Sequence, residues 1–360
     1  MTDHLPPAPH LLVTGGAGFI GSELVRQVLA RRDGTRVTVL DKLTYAGNRA
    51  NLAAVEDDPE QAARLAFVQG DIADPEVVGE VVPNVDAVVN VAAETHVDRS
   101  ILDPEAFLRT GVIGVHVLLE AVRAAATERA IRFLQVSTDE VYGDITEGRS
   151  RETDNLAPRS PYAAAKAASE HLVNAYHVTF GVDTVTTRGS NTYGPHQFPE
   201  KLIPLFTTNA LTGKPLPMYG DGMQIRDWLH VSDHAAGIDY VLRHGESGEA
   251  YNLPGGTELP NRDVIGRLLE ATGRDWSLVR TVPDRPGHDR RYAMDGSKLR
   301  ALGWAPRVSF DEGLPATVAW YRDNAAWVEA SKGGDWADYY RRQYETRLAS
   351  GQAAAEIDAG

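Results

Sequence analysis

The chain has 360 residues, of which 42% are hydrophobic and 24% are charged, with a net charge of −14. This balance is typical of a soluble globular protein with one large or two smaller domains, and its acidity disfavours a general nucleic-acid or anionic-membrane surface. The sequence contains no cysteine, which excludes disulfides, thiolate metal sites and cysteine nucleophiles. No apolar stretch approaches the roughly 20 residues that span a bilayer. The start of the chain lacks the pattern of a secretory leader, so we expect a cytoplasmic protein.

The first half of the chain alternates short apolar strands with helical patterns. Strands are predicted over residues 11–13, 37–41, 87–91, 133–137 and 183–187. Helices are predicted between them, over residues 22–32, from about 104 to 126, and from about 160 onward. The run at 87–91 is apolar apart from Asn90, as in strands that are buried on both faces of a parallel sheet. This alternation predicts an α/β fold with a Rossmann-type doubly wound parallel sheet.

A glycine-rich turn lies between the first predicted strand and the first predicted helix. It carries the spacing Gly16-x-Gly18-x-x-Gly21, with Gly15 before it. Such a turn brings backbone amides close to a pyrophosphate at a helix N-terminus, although glycines by themselves also make ordinary turns. Asp41 ends the second predicted strand, where a carboxylate binds the adenosine ribose hydroxyls and repels a 2′-phosphate. Together these residues predict bound NAD rather than NADP.

The sequence pattern changes after about residue 195, where the predicted elements become shorter and turn-forming residues become more frequent. We expect residues 1–195 to form an NAD-binding Rossmann domain, with segments at about 225–250 returning to it. Residues 196–350 should form mainly a smaller, mixed α/β substrate domain that closes over the carboxyl ends of the sheet. Residues 351–360 are expected to be a frayed tail.

A tyrosine and a lysine lie one turn apart at the start of the helix near residue 160. Ser160 and Pro161 predict this start, because a capping hydroxyl precedes a proline at the first helical position. Tyr162 and Lys166 then share a helix face. A lysine cation there should lower the tyrosine pKa from about 10 towards neutrality, which suits oxidation of an alcohol by a nicotinamide. The alternative is a core tyrosine beside a solvated lysine.

Two adjacent carboxylates, Asp139 and Glu140, follow the hydroxyls of Ser137 and Thr138 at the end of a predicted strand. A hydroxyl at Ser137 or Thr138 can share the substrate proton with the tyrosine. Side chains alternate along a strand, so both carboxylates face one cleft only if the strand bends there. If it does, they form an acid and base pair whose environments separate their pKa values. If it does not, they belong to a solvated acidic turn.

These motifs resemble those of the extended short-chain dehydrogenase/reductases and, within them, the dTDP-glucose 4,6-dehydratases. The resemblance runs from about residue 11 to past residue 336. It is carried by residues 14–21, 41–48, 92–100, 137–144, 160–166, 193–195, 198–204, 224–228 and 284–292. Related sugar-nucleotide 4-epimerases and decarboxylases lack the Thr-Asp-Glu triplet, which makes Asp139 the residue that discriminates between the activities.

The resemblance implies a dehydration with a catalytic set of Thr138, Asp139, Glu140, Tyr162 and Lys166. Tyr162, helped by Thr138 and Lys166, takes the 4-hydroxyl proton of a nucleotide-bound glucose while NAD accepts the C4 hydride. Glu140 removes the C5 proton, Asp139 protonates the departing C6 hydroxyl, and the hydride returns to C6. The product is a 4-keto-6-deoxy sugar nucleotide, and NAD stays tightly bound because each turnover restores it.

The resemblance also implies which residues bind the two ligands. The cofactor set is Gly15, Gly18, Phe19, Ile20, Gly21, Asp41, Lys42, Thr44, Asp71, Ile72, Ala92, Ala93, Tyr162 and Lys166. The nucleotide-sugar set is His96, Asn191, Lys201, Leu202, Arg226, Asn261, Arg285, His288 and Tyr292. Arg226 and Arg285 suit a diphosphate, Tyr292 is expected near the nucleotide base, and Asp71 has helix capping as its alternative role. The histidines lack metal-ligand spacing, so no metal is expected.

Two departures from the family pattern leave the sugar and the nucleotide base open. Gly111 and Thr192 each stand where the family usually has asparagine. The resemblance further implies a homodimer, joined through a four-helix bundle of the helices that start near residues 104 and 160. The alternatives to dehydration are a 4-epimerase or decarboxylase on the same scaffold, or an NAD-binding protein without catalysis.

Overall fold

The computed structural model describes residues 3–127, 129–333, 336–349 and 352–353. Its strands are β1 (His10–Thr14), β2 (Arg36–Asp41), β3 (Leu65–Gln69), β4 (Ala87–Asn90), β5 (Arg132–Thr138), β6 (Thr184–Gly189), β7 (Asn191–Tyr193), β8 (Leu216–Tyr219), β9 (Ile225–His230), β10 (Ala250–Leu253), β11 (Glu258–Pro260), β12 (Val279–Val282) and β13 (Gln352–Ala353).

The α-helices alternate with these strands through the first half of the chain. They are α1 (Phe19–Ala30), α2 (Ala53–Glu56), α3 (Pro59–Ala62), α4 (Pro75–Val81), α5 (Val97–Leu102), α6 (Pro104–Leu108), α7 (Val115–Ala125), α8 (Pro161–Phe180), α9 (Leu202–Leu211), α10 (Val231–His244), α11 (Asn261–Thr272), α12 (Ser297–Ala301), α13 (Phe310–Asp323), α14 (Ala325–Ser331), α15 (Trp336–Tyr340) and α16 (Thr346–Ala349). A π-helical segment, Arg109–Gly114, joins α6 to α7, so the helix predicted over 104–126 is continuous but not α-helical throughout. Among the described residues, no helix combines the length and apolarity that crossing a membrane requires.

Seven parallel strands form the central sheet, in the order β10-β6-β5-β4-β1-β2-β3. The strand order reverses between β1 and β4, and such a switch point is where ligands bind at the carboxyl edge of a doubly wound sheet. Strands β1, β4 and β5 are almost completely buried, since helices cover both of their faces. The predicted Rossmann-type fold is confirmed.

Alternation along β1 sends neighbouring side chains to opposite helix layers. Leu11 and Val13 pack in a core with α1 and α10, whereas Leu12 packs in a second core with α4 and α7. Burial of each such aliphatic side chain stabilises the fold by ~1.5–3 kcal/mol. The last strand of this sheet, β10, and helix α10 come from beyond residue 225, so the later part of the chain contributes to the sheet domain.

A second lobe, which we call the C-terminal lobe, lies beside the central sheet. It contains the small sheets β11-β9-β7 and β13-β12-β8, both of mixed strand direction, packed with α9, α11 and α13. Its core is rich in aromatic side chains, among them Tyr193, Trp228 and Phe310. Helix α9 begins directly after Lys201, and this places that lysine at the boundary with the central sheet.

Candidate active site

An elongated cleft runs along the carboxyl edge of the central sheet, under the C-terminal lobe. It is lined by every residue predicted for catalysis or NAD binding and by the predicted substrate residues His96, Asn191, Lys201, Leu202, Arg226, Asn261, Arg285 and His288. Residues from both lobes therefore meet in one site. Within the described ranges, no group of three or more His, Asp or Glu side chains is arranged to hold a metal ion.

The glycine turn at the start of α1 is folded so tightly against neighbouring backbone that Gly15 and Gly21 have no space for a side chain. Gly15 has a φ of +65°, and a Cβ on it would lie 2.8 Å from the backbone of Ala92. A Cβ on Gly21 would lie 2.2 Å from the carbonyl oxygen of Gly15. Gly18 caps α1 without a side-chain hydrogen bond, so the first amides of the helix face the cleft. This backbone cradle fits a pyrophosphate.

Asp41 and Asp71 lie at the outer end of the cradle, beyond the glycines. Asp41 accepts hydrogen bonds from the backbone of Ala17 at 2.9 Å and of Leu43 at 2.8 Å, and burial raises its pKa. Asp71 accepts from Lys42 at 2.8 Å and also caps the backbone N–H of Ala73 at 2.9 Å. Asp71 therefore closes a local turn and lines the cleft, whereas the helix cap of α4 is Asp74. The set of a glycine cradle and a buried carboxylate fits NAD.

The chain bends sharply where β5 ends, and the bend brings both adjacent carboxylates to the cleft. Residues Asp139–Tyr142 form a single 3-10 turn, which we call the catalytic turn, followed by Gly143 with a φ of +76°. Thr138 caps the turn by accepting from the backbone of Glu140 at 3.3 Å, and it donates to Asp139 Oδ1 at 3.0 Å. The strand alternation that would have separated Asp139 from Glu140 thus ends at Thr138.

The two carboxylates differ in their electrostatic surroundings. Burial, reinforced by the charge of Glu140, raises the pKa of Asp139 to about 8, so this group is protonated at neutral pH. Burial also raises the pKa of Glu140, but nearby cations, led by Arg285 and then Lys201, oppose the rise. The pair therefore offers one neutral acid and one carboxylate that cations favour in its ionised form, as an acid and base division requires.

Tyr162 and Lys166 lie on the first turns of α8, as the sequence predicts. Ser160 caps the helix by accepting from the backbone of Ala163 at 3.1 Å, and Lys166 donates to the carbonyl of Val136 at 2.9 Å. Burial lowers the pKa of Lys166 to about 8. The expectation for the tyrosine pKa was wrong in direction, since burial and the charge of Glu140 raise the pKa of Tyr162. The nearby side chain of Thr138 opposes that increase.

Cations of the C-terminal lobe and its loops gather opposite the catalytic turn. Lys201 donates to the carbonyl of Thr95 at 2.5 Å, and Arg285 lies 3.5 Å from Asp98. Arg226 donates to the carbonyl of Asp289 at 2.9 Å and stacks on the ring of Tyr292, 4.2 Å from its centroid. Such a concentration of cations in an acidic protein suits a diphosphate.

Tyr292 is the predicted substrate residue that does not line the cleft. Its side chain is 3% exposed and lies behind Arg226, with its hydroxyl donating to Asp289 at 2.7 Å. Tyr292 therefore supports the arginine, and its expected position near a nucleotide base stays a prediction. His96 and His288 do line the cleft, and burial lowers the pKa of each to about 4, so both are neutral near pH 7.

Several buried polar atoms that face the cleft have no hydrogen-bond partner among the described residues. They are Ser137 Oγ, Asp139 Oδ2, Asn191 Oδ1, Asn261 Oδ1 and Arg285 Nε. Leaving a buried polar atom unpaired costs about 1–3 kcal/mol, and folded proteins seldom tolerate a group of them. Their concentration in one cleft indicates a polar ligand that contacts both lobes.

Some cleft residues escaped the sequence-based prediction. Glu200 is almost completely buried and pairs with Arg99 at 2.9 Å. It lies beside Lys201 in the 198–204 motif, so the sequence offered a reason to predict it. Tyr219 and Tyr344 also line the cleft, and His234 reaches it from α10. These last three have no local sequence signal, because only tertiary packing brings them to the cleft.

The two departures from the family pattern occupy different places. Gly111 lies in the π-helical segment, where a Cβ would be 3.2 Å from the Cβ of Ala165. Thr192 lies in the cleft on β7, and its hydroxyl is 2.7 Å from His234 Nδ1 and 3.1 Å from the carbonyl of Ser190. Thr192 thus makes local hydrogen bonds of its own.

Comparison with known proteins places this site in a family. The profile of the GDP-mannose 4,6 dehydratase family matches residues 12–317. A dTDP-glucose 4,6-dehydratase of Streptomyces niveus is 54% identical, over 90% of this chain and 96% of that protein. The dTDP-glucose 4,6-dehydratase DesIV of Streptomyces venezuelae, solved with NAD and dTDP bound, is 52% identical with a TM-score of 0.86, covering 90% of this chain and 100% of that one.

The same scaffold is shared with enzymes of other activities. A Thermus thermophilus UDP-glucose 4-epimerase, solved with NAD, is 34% identical with a TM-score of 0.79, over 88% of this chain and 99% of that one. Identity is thus markedly higher to the dehydratases than to this epimerase. The chain belongs to the dTDP-glucose 4,6-dehydratase family, within the extended short-chain dehydrogenase/reductases.

Proposed function

We propose that this protein is a hydro-lyase that converts dTDP-glucose to dTDP-4-keto-6-deoxyglucose with bound NAD, a step in the making of deoxysugars. The observation that carries the proposal is the catalytic turn, which brings Asp139 and Glu140 into one cleft with Tyr162 and Lys166. Burial raises the pKa of Asp139 to about 8, whereas Arg285 and Lys201 oppose the rise at Glu140. A 4-epimerase or a decarboxylase has no need of an acid at C6. A protein that only binds NAD has no need of either carboxylate.

The backbone cradle of Gly15, Gly18 and Gly21 would hold the pyrophosphate of NAD, and Asp41 its adenosine ribose. Lys166 would bind the nicotinamide ribose from α8. Bound NAD would supply the acceptor for the C4 hydride, a positive charge that lowers the pKa of Tyr162, and the hydride that returns to C6. Enclosure of the cofactor between both lobes agrees with its retention through each turnover.

Oxidation at C4 begins with the proton of the substrate 4-hydroxyl. Tyr162 would take this proton, and the Thr138 hydroxyl would share a hydrogen bond with the same substrate oxygen. The Lys166 ammonium offsets the negative charge that develops on the tyrosine. The ketone that results makes the hydrogen on C5 acidic.

Elimination then uses the two carboxylates of the catalytic turn. Glu140 would remove the C5 proton, and Asp139 would give its proton to the C6 hydroxyl, which leaves as water. After C6 receives a hydride, Glu140 returns a proton to C5. Arg285, Arg226 and Lys201 would hold the diphosphate, so that the hexose extends from these cations to the catalytic turn.

The experiment that tests this function is incubation of the purified protein with dTDP-glucose and no added oxidant. We expect the substrate to lose one water and to gain a carbonyl, as mass spectrometry and reduction with borodeuteride would show. Recovery of the C4 epimer alone would contradict dehydration. A parallel panel of UDP-, GDP- and CDP-glucose tests the nucleotide base, since the dTDP compound should react fastest.

We also propose a homodimer that forms through α5 to α8. Of the strongly exposed large apolar side chains among the described residues, all except Met223 lie on this group of helices: Ile101, Leu102, Leu108, Ile113, Val178 and Phe180. A concentration of exposed apolar side chains on one group of helices is typical of a protein interface. Sedimentation should give a dimer for the native protein and for Met223→Asp, but a monomer for the double variant Leu102→Asp, Val178→Asp.

The division of the chain at about residue 195 remains part of this proposal, with α10 and β10 assigned to the NAD-binding domain. We further propose that the protein works in the cytoplasm, where both NAD and nucleotide sugars are found. Fractionation of cells that express the full chain would test the location.

A further inference from the structure

We propose that a buried network of Glu170, Arg188, Tyr142 and Asn252 positions the catalytic turn, and that it controls water elimination more than C4 oxidation. The inference rests on the proposed function, because it uses the roles given to Asp139 and Glu140. None of these four residues lines the cleft, so they act as positioning residues.

Arg188 lies at the centre of the network, in the middle of three neighbouring strands. It stands in register with Ser137 on β5 and with Asn252 on β10. Its guanidinium donates to Oε2 of Glu170 on α8 at 2.6 and 2.9 Å, and to Oε1 of the same carboxylate at 3.2 Å. Both side chains are buried, being 7% and 5% exposed. A buried ion pair with this bidentate geometry holds α8 and β6 in one arrangement.

The hydroxyl of Tyr142 completes the network, and its two hydrogen bonds have fixed directions. It accepts from Arg188 at 2.5 Å and donates to Asn252 Oδ1 at 2.8 Å. The amide of Asn252 donates to the carbonyls of Ser150 and Asp295, which leaves its oxygen as the acceptor. The guanidinium also lies 4.8 Å from the centroid of the Tyr142 ring. Each partner therefore fixes the position of the phenol.

Tyr142 is the last residue of the catalytic turn, so the network holds one end of the turn while Thr138 holds the other. The exit from the turn is also constrained, since a Cβ on Gly143 would lie 2.3 Å from the carbonyl of Ala157. Asp139 and Glu140 lie between these two anchors. A misplacement of about 1 Å in a reacting group can cost roughly 100-fold in rate.

The groups proposed for C4 oxidation are anchored in another way. Tyr162 and Lys166 belong to α8, which Ser160 caps, and Lys166 is held by the carbonyl of Val136. Loss of the Tyr142 hydroxyl would disturb the turn but leave these contacts in place. Glu170 is less suitable as a test site, because its charge also raises the pKa of Lys166.

The test is Tyr142→Phe in the full-length protein with its bound NAD. We expect product formation from dTDP-glucose to fall ~10–100-fold, while single-turnover formation of reduced nicotinamide keeps its native rate. Reduced nicotinamide should then accumulate, as its near-ultraviolet absorbance would show. Tyr193→Phe is the matched control, since the Tyr193 hydroxyl is buried, has no hydrogen-bond partner among the described residues, and lies outside the cleft lining.

Thermal unfolding and bound NAD, measured on both variants, separate positioning from stability. If Tyr142→Phe unfolds at a lower temperature yet turns over normally, the network is only structural and the inference is overturned. Equal losses of oxidation and elimination would overturn it as well. Should Tyr142→Phe fail to fold, Asn252→Ala is the second test, because it removes the oxygen that accepts from the Tyr142 hydroxyl. That variant must also accumulate reduced nicotinamide. Failure of the native protein to release water from dTDP-glucose would instead overturn the proposed function.

Discussion

The two ends of the cleft offer their ligands different kinds of chemical group. The cofactor end is made largely of backbone, where Gly15 and Gly21 leave no space for a Cβ, with the carboxyl groups of Asp41 and Asp71 beside it. The substrate end is made of cations, such as the partly buried Arg285, which is held by a residue 187 positions away. The first end depends on local turns and the second on the docking of the C-terminal lobe.

This difference separates what the scaffold can do in general from what this protein does. A backbone cradle recognises a pyrophosphate whatever chemistry follows. The catalytic turn lies between the two ends. Burial raises the pKa of both of its carboxyl groups, and Arg285 and Lys201 of the substrate end oppose the rise at Glu140. Changes at the turn should therefore have the largest effects, followed by the cofactor end and then the substrate end.

The largest effect is expected from Asp139→Asn, which keeps the shape of the side chain but removes its proton. Loss of a general acid costs ~10²–10⁴-fold in rate, so dehydration should fall by that factor while reduced nicotinamide accumulates. In deuterium oxide, Asp139→Asn should still exchange the C5 hydrogen, because Glu140 remains. Glu140→Gln is the matched comparison and should abolish that exchange. Native turnover by Asp139→Asn would refute the acid role.

The pH dependence of turnover tests the same residue without mutation. Asp139 acts as an acid only when protonated, and its pKa is raised from 3.8 to about 8. Elimination should therefore be independent of this group below pH 8 and fall as the pH rises, by roughly 100-fold over two units above the pKa. Rapid-mixing rates from pH 6 to 10 would show this decline. The decline in the elimination step should be absent from Asp139→Asn, and its persistence there would assign it to another group. C4 oxidation, followed separately as reduced nicotinamide, should keep its own decline, because Lys166 loses its proton near pH 8.

Gly21→Ala tests the cofactor end. The new Cβ would meet the Gly15 carbonyl at 2.2 Å, so overpacking should destabilise the fold by ~1–3 kcal/mol. The protein should also be purified with less bound NAD. Gly79→Ala is the control, because a Cβ there meets nothing within 4 Å on exposed α4, and alanine should stabilise the helix by about 0.5–1 kcal/mol. Calorimetry with quantification of released NAD would decide, and full NAD content in Gly21→Ala would contradict the cradle.

The features that sequence could predict are those that depend on neighbours in the chain. The glycine turn and the Ser160 cap involve hydrogen bonds across a few residues, so the local sequence predicts them. The bend at Thr138 does not follow from the sequence, since a strand can continue or end at that point. The structure has a 3-10 turn there.

The remaining features depend on packing between distant segments. Tyr292 stacks behind Arg226, which comes from a distant strand, and does not line the cleft. The pKa of Tyr162 rises because the cleft is buried and Glu140 is near, and neither fact is visible in the spacing of Tyr162 and Lys166. Burial and tertiary neighbours set both results, and a motif does not encode them.

The smallest effect is expected at the substrate end, from Arg285→Lys. Lysine keeps the charge but loses the planar donors that bind a diphosphate in two places, so the KM for dTDP-glucose should rise about tenfold with little change in kcat. Arg290→Lys is the matched control, since it lies on the same loop, forms an exposed pair with Asp221, and does not line the cleft. Steady-state kinetics on both variants measure the difference. A fall in kcat at constant KM would mean that Arg285 acts on Glu140 in the reaction rather than on substrate binding. Arg285 would then belong functionally to the catalytic turn and not only to the substrate end.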